Sequence, residues 1–509
     1  MRNFQQIAKN LLKKKSLDIL CAEAEKSKLT RTLSAFDLIM LGIGAVIGTG
    51  IFTIIGIAAT GGPESVGAGP ALVVSMLLAM LACIFSAFCY SEFASMIPVA
   101  GSAYTYTYAT MGEFMAWIIG WILMLEYAIG NITVASAWTG YLMEFLKGFS
   151  HILPAWLVNP PIWLVNDYRS AKLLCLKDGL DPTAVIPHIF GVIPFSINLP
   201  ALILIIFITW LLVRGVRESS VMATVMVFLK LSVIGLFILA GAFYVKPENW
   251  TPFMPNGFEG IFMGAFLIFF AYIGFDAIST AAEETKNPQR DLPIGIIGTL
   301  VICTIVYILT ALVLTGIMPY QEIHVMAPIS HAMSTIGKDW IAGLISVGAL
   351  TGLTSVILVY QYGTTRILYA MSRDKFLPAG LRKIHPKYKT PHVITWVSGI
   401  IVLIGALFMD INISAELCNF GAFASFIVVC VAVLILRKTD PHRERPFKTP
   451  FVPLFPILGI LCCGGLTLYS MRLLKVSTAI FGLWVLAGIL IYALYGYRRQ
   501  RTDKETGEA

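Results

Sequence analysis

The chain has 509 residues, of which 57% are hydrophobic and only 13% charged, about half the roughly 25% charge of a soluble domain. That excludes an ordinary water-soluble fold and makes the bilayer the expected solvent. The net charge of +8 fits the basic bias of cytoplasmic loops in membrane proteins, so it makes no case for nucleic-acid binding.

Helices are the expected spanning elements, because their backbone hydrogen bonds close within one segment. A β-barrel would need segments of roughly ten residues with alternating polarity, a pattern this sequence lacks. Residues 1–35 form a basic tail without the apolar core and cleavage site of a signal peptide. It reads as a cytoplasmic tail with affinity for anionic lipid headgroups. Six spans then follow at about 36–59, 71–95, 113–146, 197–213, 219–245 and 258–283. Six more lie at about 292–317, 340–371, 392–409, 415–436, 453–471 and 477–497, before a tail at 498–509. The third and eighth are long enough to tilt or to project beyond the bilayer.

Residues 36–497 thus read as one transmembrane domain of about 12 helices, with a long loop at 147–196. Its "PAWLVNPPIWLVNDY" reads as a partly ordered cap over one mouth, or as a surface for a partner. The basic, proline-punctuated "MSRDKFLPAGLRKIHPKYKTP" is expected along the inner surface. Of the 37 Lys and Arg, 28 fall on the side of the two tails, 8 on the other and Lys230 within a span. The positive-inside rule therefore puts both termini in the cytoplasm of a multi-pass protein of the cell membrane. The nine cysteines show no CxxC spacing and imply no outer disulfide framework.

The first span contains "GIGAVIGTGIF" (42–52), with glycines at 42, 44, 48 and 50. Each glycine disfavours a helix by roughly 1 kcal/mol against alanine. The sixth span contains "FFAYIGFDAIS" (269–279), with Gly274 and a carboxylate, Asp276, at mid-span depth. Five spans separate the two, so the second broken helix runs opposite to the first. That is the pattern of an inverted repeat, about 36–245 against 258–436, with two extra helices at 453–497. Backbone unwound in hydrocarbon costs several kcal/mol per unmet group, so a break implies a polar occupant. The N–H groups of a half-helix starting near Gly48, Thr49 and Gly50 suit a carboxylate. The carbonyls ending near Val46, Ile47 and, in the sixth span, Phe270 suit an ammonium. Together they describe the head of an α-amino acid. The competing explanation is close helix packing, since Gly44 and Gly48 have the small-xxx-small spacing.

These stretches, with "YSEFASMIPVAGSAYTYTY" (90–108), "YGTTRILYAMSRDKFLP" (362–378) and "RPFKTPFVPLFPILGI" (445–460), resemble the amino acid–polyamine–organocation superfamily of permeases. The likeness is to the cationic amino acid transporter subgroup and its bacterial relatives, and covers nearly the whole chain. It implies an all-α membrane fold, the leucine-transporter-type five-plus-five inverted repeat with two further helices. The segments 61–70 and 147–196 are enlarged relative to that pattern.

Three charges lie deep in spans: Glu126, Lys230 and Asp276. Intramembrane charge is costly and usually functional. Lys230 sits about eleven residues into its span, roughly 17 Å at 1.5 Å per residue. The resemblance implies that it replaces the sodium ion of sodium-coupled relatives and handles a proton. Alternatively, it is a fixed charge joining the fifth helix to the first. By resemblance Glu126 borders the substrate, Phe270 is an aromatic lid, and Leu353 lines the side-chain end of the pocket. Glu126 reads equally as a structural hydrogen-bonding group, and Asp276 as a brace for unwound backbone or a substrate contact. Glu92, Glu283 and Glu284, near helix ends, read as gating or structural.

The function expected is a secondary active permease importing amino acids, coupled to protons and working by alternating access. An exchanger without net proton coupling is the alternative, as is a transport-derived receptor or channel, against which the short tails argue. No HExxH, GxSxG or Walker pattern points to an enzyme. No cofactor is expected beyond the proton as coupling ion. The partners are an amino acid substrate and the lipid bilayer, with a small membrane subunit left open.

Overall fold

The computed structural model describes residues 14–18, 31 and 33–496, apart from 63–64, 98, 100, 190–192, 215–219, 324–325 and 389. Most of both expected tails, and the side chain of Glu283, lie outside the described residues.

Helix α1 (Ala35–Val46) starts in a capping box: the Ser34 hydroxyl accepts from the Asp37 N–H, and the Asp37 carboxylate accepts from the Ser34 N–H at 2.9 Å. It ends where Ile47 turns extended, and α2 (Gly50–Thr60) continues at an angle of 44°. Next come α3 (Leu72–Met96), a short α4 (Ser102–Thr110) and the 35-residue α5 (Glu113–Lys147). The 147–196 loop includes α6 (Tyr168–Lys177), which buries Ala171 and Cys175 against Ile186 in a small core of its own. Then follow α7 (Leu199–Arg214), α8 (Ser220–Ala242) and α9 (Gly257–Ile268), the last extended by 3-10 turns at Phe269–Tyr272 and Phe275–Glu284. The second half comprises α10 (Pro288–Ile317), α11 (Pro328–Thr335), α12 (Asp339–Arg373) and α13 (His392–Phe408). It closes with α14 (Ile411–Thr439), α15 (Leu454–Leu473) and α16 (Lys475–Ile491).

Among the described residues, nine helices are long and apolar enough to cross a membrane, and the bent α1–α2 pair makes a tenth. The shorter apolar helices α7 and α13 stand where the fourth and ninth spans are expected. The β structure described is two two-residue hairpins and two isolated bridges. The protein is an all-α membrane protein of many spans.

The two longest helices, α5 and α12, both 35 residues, pack along one another, and α14 covers another side of α5. Helix α1 is enclosed by α8, α10 and α12. Helix α16 docks on α5 through tryptophans: Trp121 stacks on Trp484 at 4.5 Å, and the Trp117 and Trp121 indoles donate to the carbonyls of Gly488 and Trp484, both at 2.8 Å. The Lys15 N–H bonds the Tyr108 carbonyl on α4, and the Tyr492 hydroxyl bonds Glu113 just beyond α4. Both described ends of the chain therefore share one face, called here the tail face. The 147–196 loop starts from the far end of α5, on the opposite face.

Candidate functional site

The two glycine-containing breaks touch. Gly50 opens α2 so close to the second break that an added Cβ would run into the backbone of Ala271. Gly274 has φ +117°, a left-handed conformation that glycine adopts without a steric cost. A Cβ there would lie 3.2 Å from the Ala45 carbonyl group of α1. Between α9 and the following turns, Ile273 is extended, and the 3-10 stretch Phe275–Glu284 runs for ten residues, far longer than the three or four usual for that geometry.

Side chains from distant helices meet the freed carbonyls. The Tyr307 hydroxyl of α10 lies 3.0 Å from the Val46 carbonyl and 2.8 Å from that of Ala271, joining the breaks. The Lys230 ammonium of α8 donates to Gly44 at 2.8 Å and to Ile47 at 3.1 Å, and the side chain is wholly buried. Tyr360 of α12 donates to the Ile273 carbonyl at 3.4 Å. A lysine that sits on the carbonyls closing a half-helix does what a bound cation would do there, because those carbonyls carry the negative end of the helix dipole.

Beside the breaks Glu126, Tyr127, Ile273, Gly274 and Tyr360 line a narrow crevice, closed to less than the room of a water molecule. Glu126 and Asp276 are each 1% exposed. Ser425 donates to one oxygen of Glu126 at 3.4 Å, and Tyr127 to one oxygen of Asp276 at 3.1 Å. The other oxygen of each carboxylate, and the buried Thr49 hydroxyl, have no hydrogen-bond partner in the protein. Buried polar atoms are normally satisfied, so these three atoms beside the helix breaks are open to a polar ligand. Among the described residues no group of His, Cys, Asp and Glu is placed to hold a metal ion.

A family model described as amino acid permease matches residues 33–495. The chain is 44% identical to the methylthioribose transporter of Bacillus subtilis, over 97% of this chain and 100% of that one. It is also 44% identical to the branched-chain amino acid permease BcaP of the same bacterium, over 97% and 99% respectively. With cationic amino acid transporter 9 of Arabidopsis thaliana it shares 35% identity, over 86% of this chain and 72% of the relative.

The chain belongs to the amino acid permease family. Its relatives are transporters and permeases, not enzymes. In this permease the residues named from sequence fall in different places. Glu126 and Gly274 line the crevice. Gly48, Thr49, Gly50 and Asp276 lie in or next to the breaks, where a Cβ on Gly48 would stand 2.9 Å from Val356. Of the carbonyls expected to await an ammonium, that of Ile47 accepts from Lys230, and that of Val46 shares the single Tyr307 hydroxyl proton with Ala271. Phe270 and Leu353 are buried, 4% and 0% exposed, and neither is among the residues lining the crevice. Tyr127, Tyr307 and Tyr360 went unnamed in the sequence. The available signal was a hydroxyl in mid-span, where an apolar residue would be cheaper.

Proposed function

We propose that this permease is a secondary active transporter that imports amino acids with uncharged side chains across the cell membrane, with a proton as coupling ion. The tail face is read as cytoplasmic on the positive-inside bias, and the halves 36–245 and 258–436 as an inverted repeat. The observation that carries the reading is the contact between the two breaks, ringed by the unpartnered atoms of Thr49, Glu126 and Asp276. The N–H groups opening α2 would hold the carboxylate of the substrate. The open oxygens of Glu126 and Asp276 would receive its ammonium, while Lys230 keeps the cation position beside α1 and moves the proton. The rings of Tyr127 and Tyr360 and the side chain of Ile273 around the crevice favour an uncharged side chain.

Relatives named for branched-chain and cationic amino acids support the amino acid head as the shared feature. A relative named for methylthioribose favours a second reading, a neutral thiosugar. Uptake of labelled alanine into proteoliposomes, with competition by leucine, arginine and methylthioribose, tests the choice. Uptake of alanine and its inhibition by leucine are expected. Arginine or methylthioribose prevailing as competitor would overturn the assignment.

A further inference from the structure

Helix α1 and the 3-10 stretch Phe275–Glu284 are fastened where both reach the tail face. The Leu33 N–H donates to the Glu284 carbonyl at 3.0 Å, and the Lys286 N–H donates to Leu33 at 2.9 Å. These bonds form a parallel bridge between Leu33 and Thr285. Higher up, Ile278 fills the space beside Gly42 of α1. Each segment thus adjoins the other at its tail-face end and along its length, and each ends at mid-membrane in extended backbone, Ile47 or Ile273. Bridged at one end and packed along their length, the two segments form one body.

At its free end that body meets α12 through charge. Arg366 reaches the Glu284 carboxylate at 3.3 Å, and its guanidinium lies 4.2 Å over the ring of Tyr362, one turn away on α12. The side chains of Arg366 and Glu284 are 30% and 33% exposed. Water screens such a pair and keeps it weak, which suits a contact that must open in each cycle. Stacking on Tyr362 keeps the guanidinium placed while the carboxylate leaves.

We infer that Arg366 and Glu284 form the tail-face latch of the transport cycle: Arg366, a positioning residue on α12, holds the joined lower halves of the first and sixth spans closed under the crevice. This rests on the transporter reading above, but its test needs no substrate. A cysteine reporter at Thr280→Cys, in the moving body, is labelled with a polar maleimide in nanodiscs, against the same protein without the reporter. Arg366→Ala and Glu284→Gln, made separately, are each expected to label about two- to five-fold faster, the range for losing a screened ion pair. The exchanged pair Arg366→Glu with Glu284→Arg is expected to return to the parent rate, which a merely structural arginine would not produce. Parent-like labelling in both single variants, or an exchanged pair as fast as the singles, would overturn the latch. Failure of alanine to bind the parent would strike at the transporter reading and leave the labelling result standing.

Discussion

Gly50 shows how little freedom single positions have where the breaks meet. An added Cβ would overlap the backbone of Ala271, which cannot step aside as a flexible side chain would. Overpacking of this kind costs about 1–3 kcal/mol or more. Gly50→Ala should therefore lower the melting temperature in detergent and abolish alanine uptake. Gly465→Ala, with nothing within 4 Å of the new Cβ, should leave both unchanged. Tyr307→Phe removes one hydroxyl that serves the carbonyls of Val46 and Ala271. An acceptor left unmet in a buried site costs about 1–3 kcal/mol. The variant should insert normally yet transport at least several-fold more slowly. Parent-like uptake would show the bridge between the breaks to be dispensable.

Glu92, near the tail-face end of α3, explains the "RPFKTP" stretch that links α14 to α15. The Glu92 carboxylate accepts from Arg437 at 2.8 and 2.9 Å, from Arg445 at 3.2 Å and from the Thr449 N–H at 2.8 Å. Arg445 also donates to the carbonyls of Asp440 and Arg443, so a single guanidinium shapes the turn. Phe447 stacks on Phe88 and fixes the linker to α3 from the other side. Neutralising this acid leaves two guanidiniums crowded together, with the Arg445 side chain only 3% exposed. Breaking a buried pair in this way costs about 3–5 kcal/mol. Glu92→Gln should accordingly reduce the yield of folded protein and lower its melting temperature, and Glu92→Asp should recover part of both. A variant as stable as the parent would mean that α15 and α16 are held by other contacts, such as the tryptophan stack on α5.

The proposed proton coupling is a property of the complete cycle and is tested in a sealed membrane. One charge moved through 100 mV is worth about 2.3 kcal/mol, roughly fifty-fold in concentration. Uptake against a gradient should follow an imposed pH difference and ignore sodium. Lys230→Ala removes both bonds from α8 to the carbonyls of Gly44 and Ile47, so pH-driven accumulation should vanish while exchange of internal for external substrate persists. Accumulation that requires sodium, or that keeps its pH dependence in Lys230→Ala, would exclude the mechanism.

Composition made this a membrane protein, and the length of its unbroken apolar runs made it all-α, because hydrocarbon offers no partner for an open backbone and only helices or closed barrels satisfy their own. The two interruptions were legible for the same reason: glycine runs and a carboxylate at mid-span are expensive there without a purpose. Depth in a hydrophobic run likewise singled out Glu126, Lys230 and Asp276. The contact of Lys230 with the first helix was among the readings of the sequence, while that of Tyr307 was not. Val46 receives Tyr307 from 261 positions away, and Ile47 receives Lys230 from 183. Whether a carbonyl awaits substrate or already has a donor depends on which distant helix packs beside it, and no local pattern records that. The Glu92 clamp and the Arg366 contact have the same origin. Charges at helix ends look alike in sequence, and only the packing of the helices decides which of them meet.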